Sequence, residues 1–304
     1  MHNSVLGAVQ VLLAGVCWGT YGTIASYLPT TIPTLAVGTV RLGIGAFGIA
    51  IILLIRRKGR LFTPGTRFPI PHIMIGAVVL AIAQTALYLG IRSAGVTIAT
   101  MIFIGTPPLF SGLFSRVVKK ERQSLDWLLS SLVIVVGCYL MAISKGVDSQ
   151  GTALIWGSVS ALIAGASWTV VGTMLRDMQK VASPLDSSLV IMLASSMVML
   201  PIAILQGGLA WIADSKVIVL SIALGLLSGA IPYWLFTTGA RSIQASHAFL
   251  YGLAEPITAS FLGMVVLGER LSPMGVAGYL AVVCALGFFS FQQIRHANRE
   301  IGLG

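Results

Sequence analysis

Long apolar runs, separated by short clusters of Gly, Pro, Lys and Arg, divide the chain into ten segments near residues 5–26, 33–55, 72–92, 96–118, 124–143, 152–175, 185–206, 216–240, 245–267 and 272–292. Each is about 20 residues long, the length an α-helix rising about 1.5 Å per residue needs to cross a hydrocarbon core of about 30 Å. The runs are continuously apolar and lack the short alternating stretches of a membrane β-strand, so they predict helices and not a closed barrel. The expected fold class is an all-α membrane protein with ten transmembrane helices.

The ten segments fall into two similar sets of five. Residues 12–23 read LLAGVCWGTYGT and residues 162–173 read LIAGASWTVVGT, so that Leu12, Ala14, Gly15, Trp18, Gly22 and Thr23 recur at an offset of 150. At an offset of 149, Arg92-Ser93 corresponds to Arg241-Ser242, Pro107 to Pro256 and Ser111 to Ser260, followed by KKER at 119–122 and GER at 268–270. Because five is odd, a second copy must enter the membrane the other way up, and the halves become related by a pseudo-two-fold axis in the bilayer plane. This predicts a first repeat over residues 1–147 and an inverted second repeat over 148–304, ending in a short cytoplasmic tail. Halves that can each take the other's conformation provide inward-open and outward-open states of comparable energy, which makes a transporter the leading reading.

Composition agrees with a membrane setting: 9% of residues are charged and 56% hydrophobic, against about 25% charged in an ordinary soluble domain. The mean hydropathy is +0.94. The formal charge of +10 sits mostly in the short connections, where it reads as a topology signal and not as a nucleic-acid surface. With the N-terminus inside, the cytoplasmic side collects Arg56, Arg57, Lys58, Arg60, Arg67, Arg116, Lys119, Lys120, Arg122, Arg176, Lys180, Arg241, Arg295 and Arg299, against Arg92, Lys145, Lys216 and Arg270 outside. Both termini are therefore expected to be cytoplasmic. The first segment lacks a basic leader and cleavage site and is expected to remain as a helix. Cys17, Cys138 and Cys284 have no metal-type spacing and read as packing residues, and no metal or cofactor is expected.

The run YGLAEPITASFLGMVVLGERLSPMGVAGYLAVVCALG at 251–287, its weaker copy TPPLFSGLFSRVVKKERQS at 106–124 and the pair Trp18-Gly19 resemble the EamA-type ten-helix carriers of the drug/metabolite transporter superfamily. The resemblance covers both halves. It implies a carrier in the bacterial inner membrane, often an exporter of amino acids or related metabolites, with a central cavity built by both halves. In the first repeat Thr106 stands where the second has Glu255, so any role of that carboxylate falls to Glu255 alone.

Glu255 lies ten residues into the ninth segment, roughly 15 Å deep and so near the midplane. A carboxyl group there costs about 2.5 to 3.5 kcal/mol on insertion scales and is expected to face the bundle interior or a wet cavity. Two readings stand: a site for a substrate amine or a proton, or a structural carboxyl satisfying backbone freed by Pro256. Arg41, eight residues into the second segment, offers either a substrate-carboxylate contact or a structural partner. His247, Tyr251 and Glu255 are spaced i, i+4 and i+8, which predicts one polar stripe on the ninth helix. Gln84 and Tyr88, four apart on the third segment, are candidates for the same cavity.

Trp18, Trp168 and Phe103, with Tyr233 and Trp234, supply aromatic surface, and at least one aromatic wall is expected in a small-solute site. Pro107 and Pro256 mark expected kinks and candidate hinges in the matched fourth and ninth segments. Gly15-xxx-Gly19 and Gly225-xxx-Gly229 predict close helix contacts. The implied partners are a small-molecule substrate, the lipid bilayer and, through Glu255, protons. A secondary carrier of amino acids or similar metabolites is the first reading and a proton-coupled efflux carrier of drugs or organic cations the second. An integral-membrane enzyme on lipid-linked substrates is remote, since neither a metal cluster nor a phosphate loop is present in the sequence.

Overall fold

The computed structural model describes residues 2–29, 31–63, 66, 68–94, 96–117, 124–143, 152–207, 211, 214–268 and 272–300. Ten helical spans follow one another: α1 (His2–Ala25), α2 (Thr34–Arg56), α3 (Ile70–Ala94), α4 (Val96–Val117), α5 (Leu125–Ile143), α6 (Thr152–Met178), α7 (Pro184–Leu205), α8 (Ser215–Ala240), α9 (Ala245–Gly252 and Ala254–Val266) and α10 (Pro273–Glu300). Among the described residues, eight of these are long and apolar enough to cross a membrane by themselves, while α4 and α5 carry shorter apolar stretches, Ile102–Leu113 and Leu125–Leu140. Large apolar side chains such as Phe47, Ile55 and Leu205 are exposed around the perimeter, as lipid-facing positions must be.

Three spans depart from the uniform helices expected. α8 contains a π-helical turn over Leu226–Ala230, just ahead of Pro232, which cannot donate a backbone N–H to the carbonyl four residues earlier. α9 is broken at Leu253, three residues before Pro256 and next to Gly252, whose carbonyl loses its intrahelical partner for the same reason. α10 runs on to Glu300, beyond the expected end near 292. Hydropathy marks where a helix leaves the bilayer, whereas the polar run QQIRHANRE has adequate helix propensity to continue in water.

The halves are interlocked. α1 packs on α8 and α9 of the second half, and α6 packs on α3 and α4 of the first; α2 lies against α7, and α5 against α10. The contacts repeat in detail. A Cβ on Gly7 would stand 2.8 Å from the Gly239 carbonyl, and one on Gly90, the counterpart of Gly239, would stand 3.0 Å from the carbonyl of Gly157, the counterpart of Gly7. A Cβ on Gly15 would stand 2.8 Å from the Gly252 carbonyl, and one on Gly165 the same 2.8 Å from that of Phe103. Gly252 and Phe103 are the residues whose carbonyls Pro256 and Pro107 leave free. Each half thus lays a glycine of its first helix against the proline-freed carbonyl of the other half.

The glycine pairs do bring helices together. A Cβ on Gly19 would lie 2.7 Å from the Glu255 carbonyl, and one on Gly229 would lie 3.1 Å from that of Arg41. Arg67, Lys119, Lys120, Arg122, Lys145 and Arg270, the KKER run and the boundary at 147/148 lie outside the described residues.

Candidate functional site

At the crossing of α1, α2, α3, α4, α6, α7, α8 and α9 the bundle encloses a cavity of about 130 Å³. Its floor, at mid-depth, carries Trp18, Trp168, Tyr233 and Glu255, and its walls carry Tyr21, Arg41, Gln84, Tyr88, Phe103 and Met199. Tyr21 lies near the C-terminal end of α1, Arg41 in the first half of α2, and Gln84 and Tyr88 in the second half of α3. The cavity therefore extends toward the end of the bundle opposite the N-terminus.

Arg41 is fixed by the irregularity in α8. Its guanidinium donates to the Ser228 carbonyl at 3.0 Å, the carbonyl to which Pro232, four residues on, has no N–H to donate. It also lies over the Tyr21 ring, 5.1 Å from the centroid, within range of a cation–π contact. Its Nε is buried and unpartnered. Glu255, half-buried, belongs to the first turn of the second piece of α9, so the break at Leu253 aims it into the cavity. Both charges line the same cavity without forming a contact ion pair. A base from the first half and an acid from the second face one space.

The aromatic rings of the floor pack against one another. Trp18 and Trp168, equivalent in the two repeats, meet edge to face at 5.6 Å, and each packs on Tyr233 and Phe236 at 5.4 to 6.2 Å. Phe236 in turn meets Phe249 at 5.8 Å. A small hollow of about 30 Å³ persists between Glu255, Pro107, Phe236 and Phe249, beside the break in α9.

Of the residues expected from the sequence, Glu255, Arg41, Gln84, Tyr88, Trp18, Trp168 and Phe103 line the cavity, whereas His247 and Tyr251 do not. The single stripe expected for His247, Tyr251 and Glu255 needs an unbroken helix, and the break at Leu253 rotates the two parts of α9 relative to each other. His247 and Tyr251 instead pack on Phe289 of α10, at 5.1 and 5.4 Å, and Tyr251 interacts with the Ser290 side chain. Pro107 sits within a continuous α4, while the discontinuity belongs to the Pro256 segment. Trp234 faces away and receives Arg56 over its ring at 5.7 Å. No group of three or more His, Cys, Asp or Glu comes together among the described residues.

Sequence reasoning passed over two features. One is Tyr21, which lines the cavity but reads as an ordinary aromatic residue because nothing in periodicity marks a cavity-facing ring, whereas Tyr233, named for its aromatic surface, does line it. The other is an ion pair at the N-terminal end of the bundle, where Arg57 at the end of α2 grips Asp186 at the start of α7 through two hydrogen bonds of 2.7 and 3.1 Å. The Asp186 side chain is 1% exposed and that of Arg57 21%. Ser183 caps α7 through the Asp186 N–H and accepts from Arg57 as well. Ser183-Pro184-Leu185-Asp186 carries the residue types of a helix start, which was the available signal.

The sequence profile of the EamA-like transporter family matches residues 5–143 and, a second time, residues 155–291. The chain is 30% identical over 277 residues to the Bacillus subtilis protein named uncharacterized transporter YwfM, covering 91% of this chain and 90% of that one. It is 28% identical over 246 residues to the threonine/homoserine exporter RhtA of Escherichia coli, covering 79% and 77%. To the uncharacterized inner membrane transporter YedA of Escherichia coli it is 23% identical over 283 residues, covering 91% and 89%. A crystal structure of a protein 17% identical in sequence superposes with a TM-score of 0.80 over 95% of this chain and 98% of the other, which shows a shared fold.

Proposed function

Since the chain belongs to the EamA-like transporter family, a family of carriers and not of enzymes, we propose that it moves amino acids or related small metabolites across the bacterial plasma membrane by alternating access. The observation that carries this reading is the central cavity, in which Arg41 of the first half and Glu255 of the second face one space bounded toward the N-terminal end by a cluster of edge-to-face and tilted aromatic rings. A zwitterion fits such a pair of fixed charges. Its amine would lie beside Glu255 and the Trp18 and Trp168 rings, its carboxylate beside Arg41, with Gln84 and Tyr88 as hydrogen-bonding walls. The volume of about 130 Å³ is below the roughly 300 to 1,000 Å³ of pockets for drug-sized ligands and favours a small solute. A relative that exports threonine and homoserine supports the same class.

On this reading both termini are cytoplasmic, which the Lys and Arg distribution supports, and the cavity faces outward. The test is counterflow of a radiolabelled panel of aliphatic, hydroxylated and aromatic amino acids into proteoliposomes preloaded with the same solutes. Saturable uptake that is absent from empty vesicles is expected. Folded protein giving no signal across the panel overturns the amino-acid reading and leaves the carrier fold untouched.

A second reading is favoured by one observation, the carboxylate set among aromatic rings, which also suits an organic cation exchanged for protons. Cells expressing the protein would then resist cationic compounds, and that resistance would vanish with Glu255→Gln.

A further inference from the structure

The ion pair at the N-terminal end has a role outside the cavity. We infer that Arg57 and Asp186 form a one-sided latch that keeps the transport path shut at that end and thereby sets which way the cavity faces at rest. This rests on the alternating-access reading, in which the closed end must open in each cycle.

The latch ties three parts of the chain that such a motion would separate. Besides the two bonds to Asp186 of α7, the guanidinium of Arg57 donates to the Leu61 carbonyl in the α2–α3 connection at 3.0 Å and to the Ser183 hydroxyl at the α7 N-cap at 3.3 Å. Directly behind it Ser188 of α7 meets Thr237 of α8 at 3.0 Å, and Thr237 also donates to the Tyr233 carbonyl at 2.6 Å. The latch and the aromatic floor are thus joined along α7 and α8. Its burial separates it from a surface pair such as Lys180–Asp177, whose side chains are 75% and 42% exposed and which contributes little. Parting Arg57 from Asp186 without replacement partners leaves a charge poorly solvated at the bundle end.

The inverted repeat turns this into a statement about direction. At the offset of 150 that relates α1 to α6, the counterparts of Arg57, Asp186 and Ser183 are Gly207, Ala36 and Pro33. At that opposite end, among the described residues, a Cβ on Gly207 would meet only Pro33, at 3.8 Å. Two interchangeable halves would give two states of nearly equal energy. A charged pair present at one end and absent from its symmetry-related place removes that equality and favours the state closed at the N-terminal end.

The test reads accessibility and needs no substrate, so an amino-acid panel without signal leaves it standing. Purified full-length protein lacking Cys17, Cys138 and Cys284 carries one reporter at a time: Ile91→Cys in the cavity wall or Ser188→Cys behind the latch, each reacted with a water-soluble maleimide. With the pair intact, Ile91→Cys reacts readily and Ser188→Cys slowly. Asp186→Asn or Arg57→Gln is expected to slow the first and speed the second by tenfold or more, and the exchanged pair Arg57→Asp with Asp186→Arg to restore both rates. Arg57→Lys, which keeps the charge but not the two-point contact, gives an intermediate shift and serves where the neutral variants fail to fold. An unchanged Ile91→Cys rate in every folded variant overturns the latch, because faster reaction at Ser188→Cys alone reports local loosening.

Discussion

Arg41 donates to the carbonyl of Ser228, 3.0 Å away on α8, a carbonyl to which Pro232, four residues on, has no N–H to offer. The intramembrane cation is therefore both a structural partner and a wall of the cavity, and the two roles separate experimentally. Arg41→Lys keeps the charge and a donor, whereas Arg41→Gln removes the charge. Arg41→Gln is expected to lower stability by about 1 to 3 kcal/mol through the unsatisfied carbonyl, seen as a lower Tm. It should also weaken uptake of amino acids relative to their amides, by tenfold or more in half-saturating concentration. Equal losses for acid and amide would assign Arg41 to structure alone.

Glu255 lines the cavity beside Trp18 and Trp168, so its substitution addresses coupling. If this carboxyl carries the driving proton, Glu255→Gln abolishes accumulation driven by a pH gradient and leaves exchange of solute for solute intact, both measured in the same proteoliposomes. Parallel loss of the two activities would make it a binding or structural residue.

His247 packs on Phe289 away from the cavity. His247→Gln is expected to leave the pH profile of transport in place while lowering Tm by a few degrees, since an edge-to-face contact is worth about 0.5 to 1.5 kcal/mol. A shifted profile would contradict the placement of His247 outside the transport path.

The glycine contacts between halves predict a sharp contrast along α1. A Cβ at Gly15 meets the Gly252 carbonyl at 2.8 Å, while one at Gly22 meets nothing within 4 Å. Gly15→Ala should destabilise by about 1 to 3 kcal/mol through overpacking and Gly22→Ala should be neutral or stabilising by up to about 1 kcal/mol. Thermal unfolding in detergent decides it, and equal effects would remove the close approach of α1 to the break in α9.

How much of this was legible in the sequence depends on the scale of the feature. The ten spans and their repeat could be read because apolar length and a recurring LxAGxxW pattern are properties of local sequence. Seven of the nine residues named for substrate or coupling line the cavity; for Arg41, Glu255 and Gln84 the reason is that a charge or an amide inside an apolar run has few places to go. His247 and Tyr251 were misplaced for one reason: helical spacing holds only while the helix does, and Pro256 next to Gly252 ended that assumption at Leu253. The Arg57–Asp186 pair escaped because its partners are 129 residues apart and each has an ordinary local explanation, one as a loop charge and the other as a first-turn acid.

The counterpart of Glu255 is Thr106, whose hydroxyl donates to the Ile102 carbonyl at 2.5 Å and brings no charge to the midplane. Two identical halves would set two carboxylates there; joined in one chain, the halves differ and keep a single one. A proton carried on Glu255 would come singly, which fixes a ceiling on gradient formation. One elementary charge falling through 100 mV yields about 2.3 kcal/mol, enough by itself to hold a neutral solute at a concentration ratio of about fifty, and each unit of pH difference across the membrane multiplies that ratio about tenfold. A gradient steeper than voltage and pH difference together allow would require a second ion at another depth.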